Sequence, residues 1–290
     1  MKQYRRTLYF LICTFGLSLL LVLLFNKSGG TWNTAGSMFM VSLYMFTPLI
    51  SVLIVNKLAP EGKFSEAIGF KFTWNRWFVL AWLSPFAIAG AALLISLKMP
   101  GTSFSLGMEN LLERYSKSAT PEQMKALKDQ MTSLPIHPAV ISAFQALVAG
   151  LTINALMALG EEAGWRGFLH KELSHLGFIN ASLTTGIIWG IWHAPIIMMG
   201  HNYPDHPKSG VFLMIVFCML FSPLLTFIRQ RSGSVLAAAI LHGTFNATAG
   251  LPFMLLNGGS DLTVGSMGAA GIIAMGIAMV PAILYGRRNQ

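Results

Sequence analysis

Long apolar runs separated by short polar connectors dominate the chain. Runs over 7–25, 35–55, 77–97, 138–160, 181–199, 211–228, 235–256 and 264–285 each hold roughly 20 mostly apolar residues, enough to cross the hydrocarbon core of a bilayer. The pattern predicts an all-α fold, a polytopic membrane helical bundle of about eight transmembrane helices. Pro48 and Pro85 fall inside spans, where neighbouring helices can satisfy the backbone groups they free. No internal repeat and no second soluble domain is visible. The expectation is one membrane domain over 1–290, with a motif-bearing core at about 138–256.

The connectors add detail. Residues 56–75 carry Lys57, Lys63 and Lys71, and Trp74 and Trp77 near their end suit the membrane interface. Residues 99–136 form the single long polar connector. There Thr120-Pro121-Glu122-Gln123 reads as an N-cap, a first-turn proline and a capping-box glutamine. Met124, Leu127, Lys128 and Met131 follow at helical spacing, which predicts a short amphipathic helix, with another over 106–115. An interfacial helix is the plain reading, and a lid over a substrate entrance is the sharper one.

Composition supports a membrane protein. The 290 residues are 54% hydrophobic and 11% charged, with mean hydropathy +0.59, whereas soluble domains carry about 25% charged residues. The net charge of +9 clusters beside apolar spans, so it reads as membrane orientation and not as nucleic-acid binding. Cys13 and Cys218 lie within apolar runs and are expected as buried free thiols. The amino-terminal Met1-Lys2-Gln3-Tyr4-Arg5-Arg6 precedes an apolar run with no small-residue cleavage site, which predicts a retained first span. With basic residues favouring the cytosol, both termini are expected to be cytosolic in an integral multi-pass protein of the cell (plasma) membrane.

One stretch breaks the apolar rule. Gly160-Glu161-Glu162-Ala163-Gly164-Trp165-Arg166 directly follows a long apolar run, and charges near hydrocarbon are rare and usually functional. On a helix Glu162 and Arg166 share a face and can pair, which leaves Glu161 free for chemistry or a ligand. His193, in Trp189-Gly190-Ile191-Trp192-His193, and the pair His242 and Asn246 also sit within apolar runs. The expectation is that all of these meet in one cavity in the cytosolic half of the membrane. Such a set suits hydrolysis: a carboxylate and a neutral histidine to take a proton from water, and a second histidine and an amide to stabilise an oxyanion. Zinc would fall to Glu161, His193 and His242, but the spacing His-Glu-x-x-His is absent. His201, Asp205 and His206 read as a hydrated loop, and His170 and His175 as interfacial.

Together, Glu161-Glu162-x-x-x-Arg166, Trp189-x-x-x-His193 and His242-x-x-x-Asn246 resemble the motif set of the CPBP family of intramembrane proteases. That family groups CAAX prenyl proteases with bacteriocin-processing and self-immunity proteins. Trp189 departs from the phenylalanine usual at its position. The resemblance implies an intramembrane endopeptidase in which Glu161 and His193 activate water, His242 and Asn246 steady the oxyanion, and Glu162 and Arg166 support the site or orient substrate. The family is labelled metalloprotease, yet with no recognised metal-binding spacing in the chain no metal cofactor is expected to be obligatory, zinc being the candidate if one binds; its partners would be membrane lipid and a membrane-associated peptide or protein: a prenylated tail, a leader peptide or another membrane substrate. Two readings compete. Buried Glu and His also serve proton-coupled carriers, and an immunity or scaffold protein can keep the fold without catalysis.

Overall fold

The computed structural model describes residues 2–116 and 119–288; the side chains of Lys2 and Gln3, part of the basic amino tail, lie outside the described set. Helix dominates. α1 (Lys2–Lys27) and α2 (Ala35–Leu58) form an antiparallel pair, followed by α3 (Arg76–Ser96). The long connector carries α4 (Glu109–Ser116) and α5 (Pro121–Ser133). Next come α6 (Pro138–Leu151) and α7 (Ile153–Glu162), then a π-helix (Ala163–Leu169). α8 (Gly177–Trp192), α9 (Pro207–Ser232) and α10 (Val235–Thr248) complete the core, and α11 (Ala269–Ala278) and α12 (Val280–Arg288) close the chain. The bundle is thus polytopic and helical, as the apolar pattern predicts.

Fewer than eight of the apolar runs form a single long apolar helix. Among the described residues, five helical segments are long and apolar enough to cross a membrane: α1, α2, α3, α9, and α11 joined to α12. The α5–α6 pair, bent by 89°, brings the number to six at most. The runs predicted as spans four, five and seven instead form the shorter helices α6–α7, α8 and α10. The difference has a physical cause. α10 is almost wholly buried from Val235 to Phe245, so it meets protein and not lipid, and a shielded helix can be short or broken. α6 and α7 part at Thr152 (φ −117°, ψ −104°), where Thr152 Oγ1 donates back to Val148 O at 2.8 Å. α10 crosses this break closely: a Cβ on Gly150 would meet Thr244 Cα at 2.9 Å, and one on Gly243 would meet Ala155 N at 2.5 Å. Small residues at such crossings let helix backbones touch.

The connector chemistry is as expected. Thr120 and Gln123 form a reciprocal capping box, with Thr120 N–H on Gln123 Oε1 at 2.9 Å. The connector also adds a strand the apolar pattern does not reveal: β1 (Ser103–Phe104) pairs antiparallel with β2 (Leu256–Asn257). Both cysteines are free, Cys218 fully buried and Cys13 partly.

The helix ends sort to two faces. On the terminal face, Leu58 lines a cleft with Arg5, Arg6, Lys171 and Glu172, Arg6 pairs with Glu61 and lies 3.4 Å from Glu172 Oε1, and Val235 N–H donates to Gly69 O at 3.1 Å. The opposite, distal face gathers the 97–137, 198–206 and 249–268 connectors. There Asn110 exchanges hydrogen bonds with the backbone of Gly258, at 2.9 Å each way. Tyr203 OH donates to Met267 O at 2.7 Å, and Asp205 N–H to Asp261 Oδ2 at 2.9 Å.

Candidate active site

Proline and helix-end geometry build the site on α8. Pro195 has no N–H to offer Ile191, so the helix closes with His193 N–H on Gly190 O at 3.2 Å. The Trp189 carbonyl is then taken by the His193 ring itself, Nδ1 to O at 2.8 Å. A carbonyl only accepts, so Nδ1 carries the proton and Nε2 holds a free lone pair.

The π-helix brings the acidic pair to α8 and α10. Such wide turns are rare and concentrate at functional sites. Glu161 Oε2 accepts the Trp189 indole N–H at 2.7 Å. Glu162 Oε1 accepts from Arg166 Nη1 at 2.9 Å and from His242 Nδ1 at 2.8 Å. The predicted Glu162–Arg166 pair therefore forms, and it holds His242 as well, a link that sequence spacing does not disclose. Both members are buried without exposed surface, a placement that requires pairing.

Trp189 is the hub. Its indole holds Glu161, its ring lies 4.2 Å from the Arg166 guanidinium carbon, and it meets His193 and His242 edge-on at 5.5 and 5.2 Å. The residues around it lock in turn: Tyr44 OH donates to Trp192 O, and the Trp192 indole donates to Ser18 Oγ at 2.7 Å. Tyr44, Trp192, Cys218 and Phe221 border the site without a motif to flag them.

A cavity of about 230 Å³ is lined by Glu161, His193, His242 and Asn246, with Trp189 and Tyr44 among its walls. The volume has room for several waters. Asn246 is exposed at its edge. Glu162 and Arg166 do not line it and stand behind its wall, so a direct hold on substrate by Arg166 is not what this geometry offers. His201 lines the cavity, whereas His206 Nδ1 is engaged by Asp261 Oδ1 at 2.6 Å. His170 lies away from the cavity, with Nε2 3.4 Å from Gln230 Nε2, and His175 Nδ1 meets Glu172 O at 3.2 Å.

Among the described residues, no three His, Cys, Asp or Glu side chains are grouped so as to hold a metal ion. In Glu161 one oxygen is taken by Trp189, and His193 and His242 each engage Nδ1, with the Trp189 carbonyl and with Glu162.

Most of the cavity lining lies toward the distal ends of its helices, with Glu161, at the far end of α7, the exception. Val41, Tyr44 and Met45 are early in α2, Met214 to Phe221 early in α9, and Asn246 and Ala249 at or just past the end of α10.

A family profile described as type II CAAX prenyl endopeptidase Rce1-like matches residues 143–248. A protein named CAAX prenyl protease 2, from Methanococcus maripaludis, is 28% identical over 102 residues, a match that covers 33% of this chain and 38% of that protein. The chain thus spans well under half the length of that relative. The family match falls on the segment that carries the three motifs, so this core is similar to the Rce1-like CAAX endopeptidases, as the CPBP resemblance leads one to expect.

Proposed function

We propose that the chain is an intramembrane endopeptidase that hydrolyses a peptide bond with water activated by Glu161 and His193. The supporting observation is the convergence of Glu161, His193, His242 and Asn246, from three separate helical segments, on one cavity.

The hydrogen bonds support these roles. Glu161 has one oxygen fixed by Trp189, and the other is left for a water. The unprotonated Nε2 of His193 is a second acceptor for that water's proton, so the attacking oxygen is polarised by a pair of bases. His242 Nδ1–H points at Glu162, which orients the ring so that its Nε2 edge and the Asn246 amide can serve the developing oxyanion. Arg166 balances Glu162 and acts through it. The Arg166 guanidinium beside Glu162 lowers the cost of holding that carboxylate within the bundle. No step is routed through a metal.

The test is cleavage of quenched peptides by detergent-purified protein. Glu161→Gln and His193→Ala are each expected to lower the rate by about 10²–10⁴-fold, the usual contribution of general acid–base catalysis, and a chelator is expected to leave it unchanged. Equal rates in wild type and both variants would remove the assignment. Loss of activity with chelator, restored by zinc, would replace the metal-free mechanism.

A further inference from the structure

The cavity faces the side opposite both termini, and the basic residues say which side that is. The connectors on the terminal face carry Lys63, Lys71, Lys171, Arg229 and Arg231, joined by Arg5, Arg6, Arg287 and Arg288 of the terminal helices. Three of the four distal connectors, 28–34, 198–206 and 249–268, contain no lysine or arginine, and the helix ends that flank them add Lys27 and Lys208. The fourth, 97–137, carries basic residues interspersed with Glu109, Glu113, Glu122 and Asp129. Positive charge in connectors near span ends marks the cytosolic side, so the distal face is the outer one.

The route into the site agrees. Toward the terminal face the cavity is closed by packed rings: Trp192 meets Trp165 at 5.7 Å, Trp165 meets Phe10 at 5.5 Å, Phe10 meets Phe168 at 5.0 Å, and Arg6 caps Phe168 at 5.2 Å. Toward the distal face the ring contact at the cavity is Trp32 with His201, edge-on at 5.7 Å. Val41, His201 and Asn202 line both the cavity and an adjoining surface groove that runs past Trp32 and Arg114. Exposed Asn246 and partly exposed Met45 leave the wall between α2 and α10 open as well.

We infer that the enzyme takes its substrate from the extracytosolic side: a polypeptide segment presented at the outer membrane surface, such as the outer flank of a membrane-anchored chain, and not a cytosolic lipidated tail. The groove matches an extended peptide, with apolar and aromatic walls from Trp32, Met38 and Val41 and a single guanidinium from Arg114. This inference rests on the peptidase reading for its substrate and on charge and geometry for its side.

Two measurements separate those supports. In intact cells, a membrane-impermeant maleimide is expected to modify Lys208→Cys, at the distal end of α9, and to spare Lys63→Cys until the membrane is permeabilised, with the unsubstituted chain as background. The reverse pattern overturns the inference whatever the activity. In sealed vesicles, an impermeant quenched peptide is expected to be cleaved from the right-side-out face at most of the detergent-released rate, with the signal lost in inverted vesicles and in Glu161→Gln. Cleavage confined to inverted vesicles overturns it. Detergent-solubilised wild type that cleaves none of the peptides overturns the peptidase reading and the substrate class with it, while the labelling still decides which compartment the cavity faces.

Discussion

α1 and α10 are made of similar residues and live in different solvents. α1 is 26 residues long, and only 22% of its most apolar window is buried against protein. α10 has 14 residues and is buried along nearly its whole length. A lipid-facing helix must match the bilayer by itself, so its length and hydropathy are fixed. A helix surrounded by other helices is released from that demand, and can be short and polar on one face. The chemistry of this protein sits on the released helices: α7, the π-helix, α8 and α10.

The largest effect is expected where that release has been used most. Arg166→Ala strands Glu162, which has no exposed surface, and removing one partner of a buried pair costs roughly 3–5 kcal/mol. The thermal midpoint in detergent should fall sharply, and the rate with it. A double variant, Glu162→Gln with Arg166→Met, removes both charges and should recover much of the stability while activity stays low, because His242 loses its carboxylate. Recovery of activity in the double variant would mean that Glu162 has no part in setting His242.

Packing comes next. A Cβ on Gly190 would come within 2.5 Å of Ile215 Cα, so Gly190→Val forces α8 away from α9 and should cost about 1–3 kcal/mol, as overpacking typically does. Since His193 is one turn further on, the rate should drop by more than the stability loss accounts for. An unchanged kcat would show that the site tolerates a shifted α8.

A subtler change tests the hub. Trp189→Phe keeps a ring against Arg166 and the two histidines but removes the donor to Glu161 Oε2. A hydrogen bond to a charged group contributes about 1.5–3 kcal/mol, so kcat should fall by roughly ten- to a hundredfold. The acidic limb of the pH–rate profile should move upward, because an ionised Glu161 loses a stabilising donor. An unmoved profile would assign Trp189 to packing alone.

The residues of the site are more legible in the sequence than its position. Glu161, His193, His242 and Asn246 stand out because polar groups in apolar runs are costly, and they do share a cavity. The Thr120 capping box is legible for a local reason, since its donors and acceptors lie three residues apart. What escapes is set by tertiary contact. The break at Thr152 depends on α10 crossing at Gly150, the bond from His242 to Glu162 joins residues far apart in the chain, and β2 pairs with a strand on the other side of the long connector. The ring stack beside the site escapes for a related reason. Hydropathy locates a residue within a span but does not say which end of the bundle is plugged, and here the plug is a stack of rings contributed by α1, the π-helix and α8.

The smallest effect tests the comparison most directly, because it uses one substitution in two solvents. Leu24 on α1 is 55% exposed and Leu225 on α9 is fully buried. Leu225→Ala leaves a cavity in the packed core and is expected to cost about 2–5 kcal/mol. Leu24→Ala removes a side chain that meets acyl chains, which are as apolar as leucine itself, so protein packing loses little. Its midpoint in lipid nanodiscs should lie within about 0.5 kcal/mol of wild type, as for surface substitutions away from structural features. Equal destabilisation at the two positions would mean that Leu24 packs against protein, either a second copy or an unseen partner, and α1 would no longer serve as the lipid-facing reference for α10.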